Sequence, residues 1–164
     1  MAITKKALSI RASKEKAETT KKTKKKRTHS RIISTWLKAL RGQLPTKYKK
    51  VTGSLCKVTK TGKVKGHCCL GVLSDLAAKA GIIDMPDFSG HDGFGYDTSV
   101  PYDDNDIELS DTVVQWAGLN GTRGEFVNSR GTEVSLAGYN DGGRTFKEIA
   151  DIIESKPEGL FVEV

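Results

Sequence analysis

The amino-acid sequence predicts an α+β fold: a small single domain of about four helices with two short β-hairpins, preceded by a disordered basic N-terminal arm. Three observations predict it. Apolar residues recur at helical spacing in four segments, and two pairs of short alternating runs are joined by glycine-containing turns. Basic residues are concentrated at the N-terminus. Helices and hairpins in separate parts of the chain are typical of the α+β class.

Residues 1–29 are predicted to form the arm, and residues 30–164 the compact domain. Residues 1–50 hold 17 Lys or Arg and two Glu, a balance of +15, whereas the rest of the chain has a balance of −8. Because the arm has few sizeable apolar residues, it cannot bury enough surface to offset the entropy lost on ordering. Opposite charges on the two parts indicate a basic arm attached to an acidic body.

The first helix of the domain is expected to begin after the N-cap residue Ser30 and to end at Gly42, because apolar residues follow a helical stripe between them. Two alternating runs follow, at residues 51–58 and 63–68. The turn at residues 59–62 between them predicts the first β-hairpin.

The most apolar stretch of the chain, residues 66–77, predicts the core helix. Apolar residues recur at helical spacing from Leu70, and Gly81 ends the pattern. We expect the other elements to pack around this helix.

The same stretch carries a resemblance to a known family. Residues 68–75 read Cys-Cys-Leu-Gly-Val-Leu-Ser-Asp, which resembles the Cys-Cys-Leu-Gly-Val-Leu-Cys-Asp signature of small proteins encoded by tailed bacteriophages and prophages. Segments 36–41, 116–119 and 139–143 fit as well, although Ser74 replaces a frequent cysteine and Tyr139 a frequent leucine. The resemblance implies a phage origin and a compact fold over about residues 32–154. It transfers no catalytic residue.

The C-terminal half is predicted to contain two helices and the second hairpin. Ser110 should cap a short helix that Gly118 ends, and residues 125–136 should form a hairpin around a turn at 129–131. Residues 140–143 are interpreted as a tight loop. Thr145 and Glu148 have the spacing of a capping box for the last helix, and residues 160–164 are expected to add a short edge strand.

An acidic, loop-rich segment lies at residues 84–111, within a stretch that has no Lys or Arg between Lys79 and Arg123. Its alternating carboxylates lack the glycine and distal glutamate of a calcium-binding EF-hand loop. We interpret the segment as a solvated surface that contacts a protein partner. The residues predicted for this contact are Asp97, Asp103, Asp104, Asp106 and Glu108.

The arm is expected to bind the phosphate backbone of DNA or RNA without sequence preference, because clustered lysines neutralise phosphates and release counterions. Since the arm has no aromatic residue, phosphate contact is favoured over base stacking. The alternatives are a solubilising tail and an arm that folds back onto the acidic segment. The predicted phosphate-binding residues are Lys5, Lys6, Arg11, Lys14, Lys16, Lys21, Lys22, Lys24, Lys25, Lys26, Arg27 and Arg31.

The cysteines allow a different hypothesis. Cys56, Cys68 and Cys69 form an odd set that we expect to be reduced. A cysteine at a helix N-terminus, with His67 or His91 as base, is faintly similar to the start of the catalytic helix of papain-like peptidases. A zinc site from these residues is disfavoured, because consecutive ligands fit a tetrahedral site poorly. We predict no catalytic residue, no metal and no cofactor, and keep a cysteine-dependent hydrolase as the least favoured alternative.

The function that the sequence favours is therefore a phage accessory protein that binds nucleic acid or ribonucleoprotein through its arm, while its acidic body contacts proteins. The second hypothesis is a structural virion component, associated with capsid or tail, whose arm threads between subunits. Expected partners are DNA or RNA, phage structural proteins and a host ribonucleoprotein. Without an apolar span or a signal peptide, we expect no membrane association and a location in the host cytoplasm or the virion. The sequence leaves the oligomeric state open.

Overall fold

The computed structural model describes residues 3–89 and 98–163, with the side chains of residues 1–17, 22, 24, 26 and 27 left out of the description. The described part contains five helices and two small antiparallel sheets, which confirms the α+β class. In chain order the elements are α1 (Ile3–Leu40), β1 (Cys56–Val58), β2 (Val64–His67), α2 (Cys69–Lys79), β3 (Thr98–Ser99), α3 (Asp111–Ala117), β4 (Glu125–Val127), β5 (Glu133–Ser135), α4 (Leu136–Asp141) and α5 (Phe146–Glu154).

Helix α1 is much longer than predicted. Ser30 is not its N-cap, because helical backbone continues back to Ile3 through the segment predicted to be a disordered arm. The described side chains from Glu18 to Thr28 are nevertheless all exposed, as the composition predicts for a segment that cannot form a core. Nucleating a helix is costly, but extending an existing one adds a hydrogen bond for each residue that is fixed. The segment can therefore continue the packed turns around Trp36 without any core of its own.

The core forms around α2, as predicted. Trp36 on α1 is completely buried, and its indole Nε1 donates to the carbonyl oxygen of Cys69 at 3.0 Å, which joins α1 to the first turn of α2. Ile149 and Ile153 of α5 are also fully buried in this core. Gly81 follows α2 with a φ of 70°, so the predicted end of the helix is confirmed.

The first turn of α2 is held by short-range contacts from the cysteine signature. The Sγ of Cys68 caps the helix by accepting from the Gly71 amide at 3.3 Å. The Cys69 amide donates to Oδ1 of Asn140 at 3.1 Å. Gly71 lies directly against the backbone of Leu55, where a Cβ atom at position 71 would be 1.7 Å from the carbonyl oxygen. The signature thus fixes how α2 begins and how closely the chain before β1 approaches it.

Both predicted hairpins are present. Strands β1 and β2 pair antiparallel with Cys56 opposite His67, although β1 is shorter than the alternating run in the sequence. Strand β3, which was not predicted, pairs with the other edge of β1 and gives the order β2-β1-β3. Strands β4 and β5 form the second hairpin.

The helix caps in the C-terminal half of the chain agree with the sequence prediction, but the loop predicted at residues 140–143 does not. Ser110 caps α3, Gly118 ends it with a φ of 72°, and Thr145 with Glu148 forms the predicted capping box of α5. The interpretation of residues 140–143 as a tight loop is wrong in its first half, because Asn140 and the following residue belong to α4. Full burial of Asn140 among long-range partners overrides its local turn preference.

The C-terminal segment forms less structure than expected. Instead of an edge strand, the described residues 160–163 form one isolated bridge, between Leu119 and Phe161. The Asn120 side-chain amide donates to the carbonyl oxygens of Gly159 and Phe161, at 2.8 Å in both cases. These two carbonyl oxygens thus accept from a side chain instead of from the backbone amides of a neighbouring strand.

Candidate nucleic-acid interface

Helix α1 leaves the body where it crosses the C-terminal end of α3, and His29 forms the contact. A Cβ atom at Gly118 would lie 2.3 Å from Nδ1 of His29, so the imidazole ring rests where a side chain would otherwise stand. Gly118 also has a left-handed φ, which glycine adopts without steric cost. The glycine therefore both ends α3 and makes room for α1. We refer to this crossing, formed by His29, Gly118 and the residues around them, as the junction.

The histidine at the junction is half-buried, and its pKa is lowered. Partial burial lowers the pKa of His29, and the charge of Lys25 lowers it further, whereas a hydrogen bond with the backbone of Gln115 opposes the shift. The contact with α3 is thus made by an imidazole that favours the neutral state.

Two shallow depressions lie beside the junction, with volumes of about 360 and 470 Å³. Lys25, His29, Gln115 and Trp116 line both of them, and Lys21 lines one. Trp116 is partly exposed there. Two lysines one helical turn apart therefore share a concave surface with an indole ring, in a chain whose arm has no aromatic residue of its own.

Sequence reasoning missed Trp116, because it lies about 90 residues from the lysines it joins. The pattern of apolar residues in α3 gave a weak indication that Trp116 is partly exposed. Val113 and Ala117 already fill the buried face of the short helix α3, which leaves the neighbouring tryptophan at its margin.

The predicted phosphate-binding residues all lie on α1. Of those with described side chains, Lys21, Lys25 and Arg31 are exposed. None of the ion pairs found among the described residues involves Lys21 or Lys25. The remaining predicted residues are on helical backbone with side chains outside the description: Lys5, Lys6, Arg11, Lys14, Lys16, Lys22, Lys24, Lys26 and Arg27.

A second polar cluster lies inside the body. The Asp75 carboxylate accepts from the hydroxyl of Tyr48 at 2.5 Å and from that of Tyr102 at 3.2 Å, and it pairs with Lys79 at 2.7 Å. The Tyr102 hydroxyl also bonds Nε2 of His67 at 3.0 Å. Burial raises the pKa of Tyr48 to about 12 and that of Tyr102 further, and it lowers the pKa of His67. The cluster joins α2 to its surroundings with every member bonded, which is typical of a structural network.

A family model places the junction and this network within one shared domain, since it matches residues 28–157. The chain belongs to the DUF8296 family. The family is described as a domain of unknown function. No curated protein and no solved structure is significantly similar to the chain.

The cysteines of this DUF8296 domain are free and buried. Burial raises the pKa of Cys56 to about 12, that of Cys68 to about 11, and that of Cys69 well above its usual value. For Cys68 this outweighs the hydrogen bonds from the first turn of α2, which act in the opposite direction. The thiols are thus far from the lowered pKa that a helix N-terminus can give a reactive cysteine.

The structure describes only one of the two histidines that were considered as catalytic bases. His67 bonds a tyrosine hydroxyl, and His91 lies outside the described residues. In the described part of the chain, no group of three or more His, Cys, Asp or Glu side chains is placed to hold a metal ion. The described helices also include none that is long and apolar enough to cross a membrane.

The structure describes four of the five acidic residues predicted to contact a protein partner, and they fall into two groups. Asp103 and Asp104 occupy the tip of a turn with φ of 51° and 64°, and Asp106 is exposed close by. Glu108 is half-buried and accepts from the hydroxyl of Thr122 at 2.9 Å. Asp97 lies outside the described residues. The three exposed aspartates remain predicted protein contacts.

Proposed function

We propose that this DUF8296 protein is a phage-encoded accessory protein that binds the phosphate backbone of nucleic acid, free or in a ribonucleoprotein, through α1. The supporting observation is the uncompensated charge of the arm. Residues 1–29 contain eleven Lys or Arg and two Glu, and the described side chains from Glu18 to Thr28 are exposed. A segment with this excess of positive charge attracts polyanions and releases their counterions on binding.

The body has a separate role in this proposal. Residues 51–164 have a balance of −8, which favours contact of nucleic acid with the basic N-terminal region over contact with the acidic surface. Asp103, Asp104 and Asp106 are exposed and available for a basic protein partner, such as a phage structural protein or a host ribonucleoprotein component. The protein would thereby tether nucleic acid to a protein assembly without catalysing a reaction.

The test compares two double variants across a salt series with generic DNA and RNA. Lys21→Gln/Lys25→Gln removes two arm charges, and Lys60→Gln/Lys63→Gln removes two exposed charges from the turn and adjacent residues between β1 and β2. Each lost phosphate contact should reduce the slope of log K against log salt by about 0.7–0.9. We expect the arm variant to lose about 1.5 from the slope and the hairpin variant to match the wild type. Equal losses in both variants, or no binding by the wild type at low salt, would contradict the proposal.

A further inference from the structure

We propose that Trp116 stacks on an unpaired nucleobase, so that the junction binds single-stranded DNA or RNA in preference to duplex. The inference rests on the proposed function, because it needs α1 to bind phosphates. It adds a base-binding site on the body, where the sequence of the arm indicated phosphate contact alone.

The position of the ring supports stacking. Of the two tryptophans, Trp36 is completely buried in the core, whereas Trp116 is partly exposed and lines both depressions at the junction. The ring stands on α3, a short helix anchored by the buried residues Val113 and Ala117, so its position is set before any ligand arrives. Base–aromatic stacking adds affinity for each stacked base and tolerates every base, because each has a π-face.

The charges around the ring suit the rest of a nucleotide. Lys21 and Lys25 lie one turn apart on the α1 side of the depressions, and the lining residues that the structure describes include no carboxylate. Gln115 adds an amide that can bond a base edge. A ring for the base and cations for the flanking phosphates are the two components of sequence-tolerant single-strand binding.

The shape of the junction favours an unpaired strand. The depressions are concave and lie between α1 and α3, whereas a duplex keeps the faces of its bases stacked inside and presents edges in its grooves. The face of a base reaches such a site only when the nucleotide is unpaired or flipped out. A duplex would therefore be bound by the lysines of α1 without contact to the ring.

Intrinsic fluorescence tests the inference directly, because the two tryptophans of the chain differ in exposure. The full-length protein is titrated with four probes of one length: oligo-dT, oligo-rU, an oligonucleotide of abasic sites and a hairpin duplex. We expect oligo-dT and oligo-rU to quench Trp116, with abasic and duplex probes binding in a salt-dependent manner without quenching. A separate comparison of oligo-dU with oligo-rU, which differ only in the sugar, shows whether the site prefers DNA or RNA.

Two substitutions of Trp116 show whether this residue is the source of the fluorescence quenching. Trp116→Leu should abolish quenching and weaken oligo-dT binding by about 5- to 150-fold, the equivalent of about 1–3 kcal/mol, while leaving abasic binding unchanged. Trp116→Phe keeps an aromatic face in the core contact and should retain most of the oligo-dT affinity. Circular dichroism of both variants shows whether the fold is intact, and the phenylalanine variant keeps the test decisive if the leucine variant does not fold.

A pair of glycine variants tests whether the junction itself positions the site. Gly118→Ala would drive a methyl group into the His29 ring, whereas Gly42→Ala meets nothing within 4 Å. The two glycines have similar φ angles, 72° and 66°, so both variants carry similar backbone strain. We expect Gly118→Ala to reduce oligo-dT quenching and Gly42→Ala to leave it unchanged.

The outcomes separate this inference from the proposed function. Equal affinity for all four probes without quenching, or an unchanged oligo-dT affinity in Trp116→Leu, would overturn base stacking while leaving phosphate binding by α1 in place. Quenching by the duplex as strong as by oligo-dT would also overturn it. Failure of every probe to bind at low salt would overturn the proposed function and the inference together.

Discussion

Replacement of Gly71 by alanine is predicted to destabilise the body, although alanine normally favours a helix. The added Cβ would lie 1.7 Å from the carbonyl oxygen of Leu55 and 2.6 Å from its carbonyl carbon. That oxygen also accepts from the Cys68 amide at 3.0 Å, immediately before α2 begins. Since the contact is with backbone rather than with a flexible side chain, α2 and the chain entering β1 would have to separate by more than an ångström.

Three effects decide the magnitude. Gly→Ala inside a helix gains about 1 kcal/mol. Forcing a methyl group into packed backbone costs about 1–3 kcal/mol, and losing the hydrogen bond between Cys68 and Leu55 leaves buried polar groups at a cost of about 1–3 kcal/mol. The expected net loss in the free energy of unfolding is about 3 kcal/mol. At about 4 °C per kcal/mol for a domain of this size, the Tm should fall by about 12 °C.

Thermal and urea unfolding followed by circular dichroism measure this loss, with Gly138→Ala as the matched control. Gly138 is also helical, but its added Cβ would meet only a side-chain atom, the hydroxyl oxygen of the N-cap residue Ser135, at 3.2 Å. The control should therefore stay within about 1 kcal/mol of the wild type. If Gly71→Ala is as stable as the wild type while the control behaves as expected, the close approach of α2 to Leu55 is not what requires glycine at this position.

Three further predictions concern the other anchors of the fold. Asn140→Ala should lower the free energy of unfolding by about 2–4 kcal/mol in urea titrations, because it leaves the buried Cys69 amide without its acceptor. His67→Gln should reduce the stability that is lost as the pH falls below 6.5, the ordinary pKa of histidine. Burial lowers the pKa of His67 in the folded state, so the stability from its neutral form is complete above 6.5 and is lost as pH falls through the lowered value. Thr145→Ala should cost about 1 kcal/mol by removing the cap of α5, and Thr145→Ser should restore it.

The features predicted correctly are those coded by neighbouring residues. A glycine that ends a helix requires only a left-handed backbone one residue beyond the last turn, so Gly42, Gly81 and Gly118 marked three ends from the sequence alone. The capping box of Thr145 and Glu148 is equally local, because both partners lie within one turn. Helix ends and caps were therefore readable without knowledge of the fold.

The features that were missed depend on partners far along the chain. Asp75 interrupts an otherwise apolar helix, but its partners Tyr48 and Tyr102 lie 27 residues before and 27 residues after it. Asn140 has the local preference of a turn residue, yet its amide bonds Val51 and the start of α2. No periodicity or spacing predicts such contacts, because they exist only after the elements pack.

For the arm, the composition predicted the exposure of the side chains but not the helical backbone. The lysine-rich segment was predicted to be a disordered arm because it cannot bury enough apolar surface, and every described side chain from Glu18 to Thr28 is exposed. Composition says little about backbone continuity, however, because a helix extends at low cost from turns already packed around Trp36. The consequence for function is geometric: a continuous α1 carries Lys21 and Lys25 past α3, whereas a separate arm would have no fixed relation to Trp116.

The family match divides the proposed interface into two parts with different energetic roles. His29 and Trp116 lie within the matched residues 28–157, and Lys21 and Lys25 precede them. Stacking of one base contributes about 1–3 kcal/mol, which is less than the 4.1 kcal/mol that corresponds to millimolar binding. The matched domain alone would therefore not hold a strand at cellular concentrations, and the charges of α1 must supply the affinity. Discrimination between paired and unpaired bases would come from the domain, and retention of the strand from the helix that precedes it.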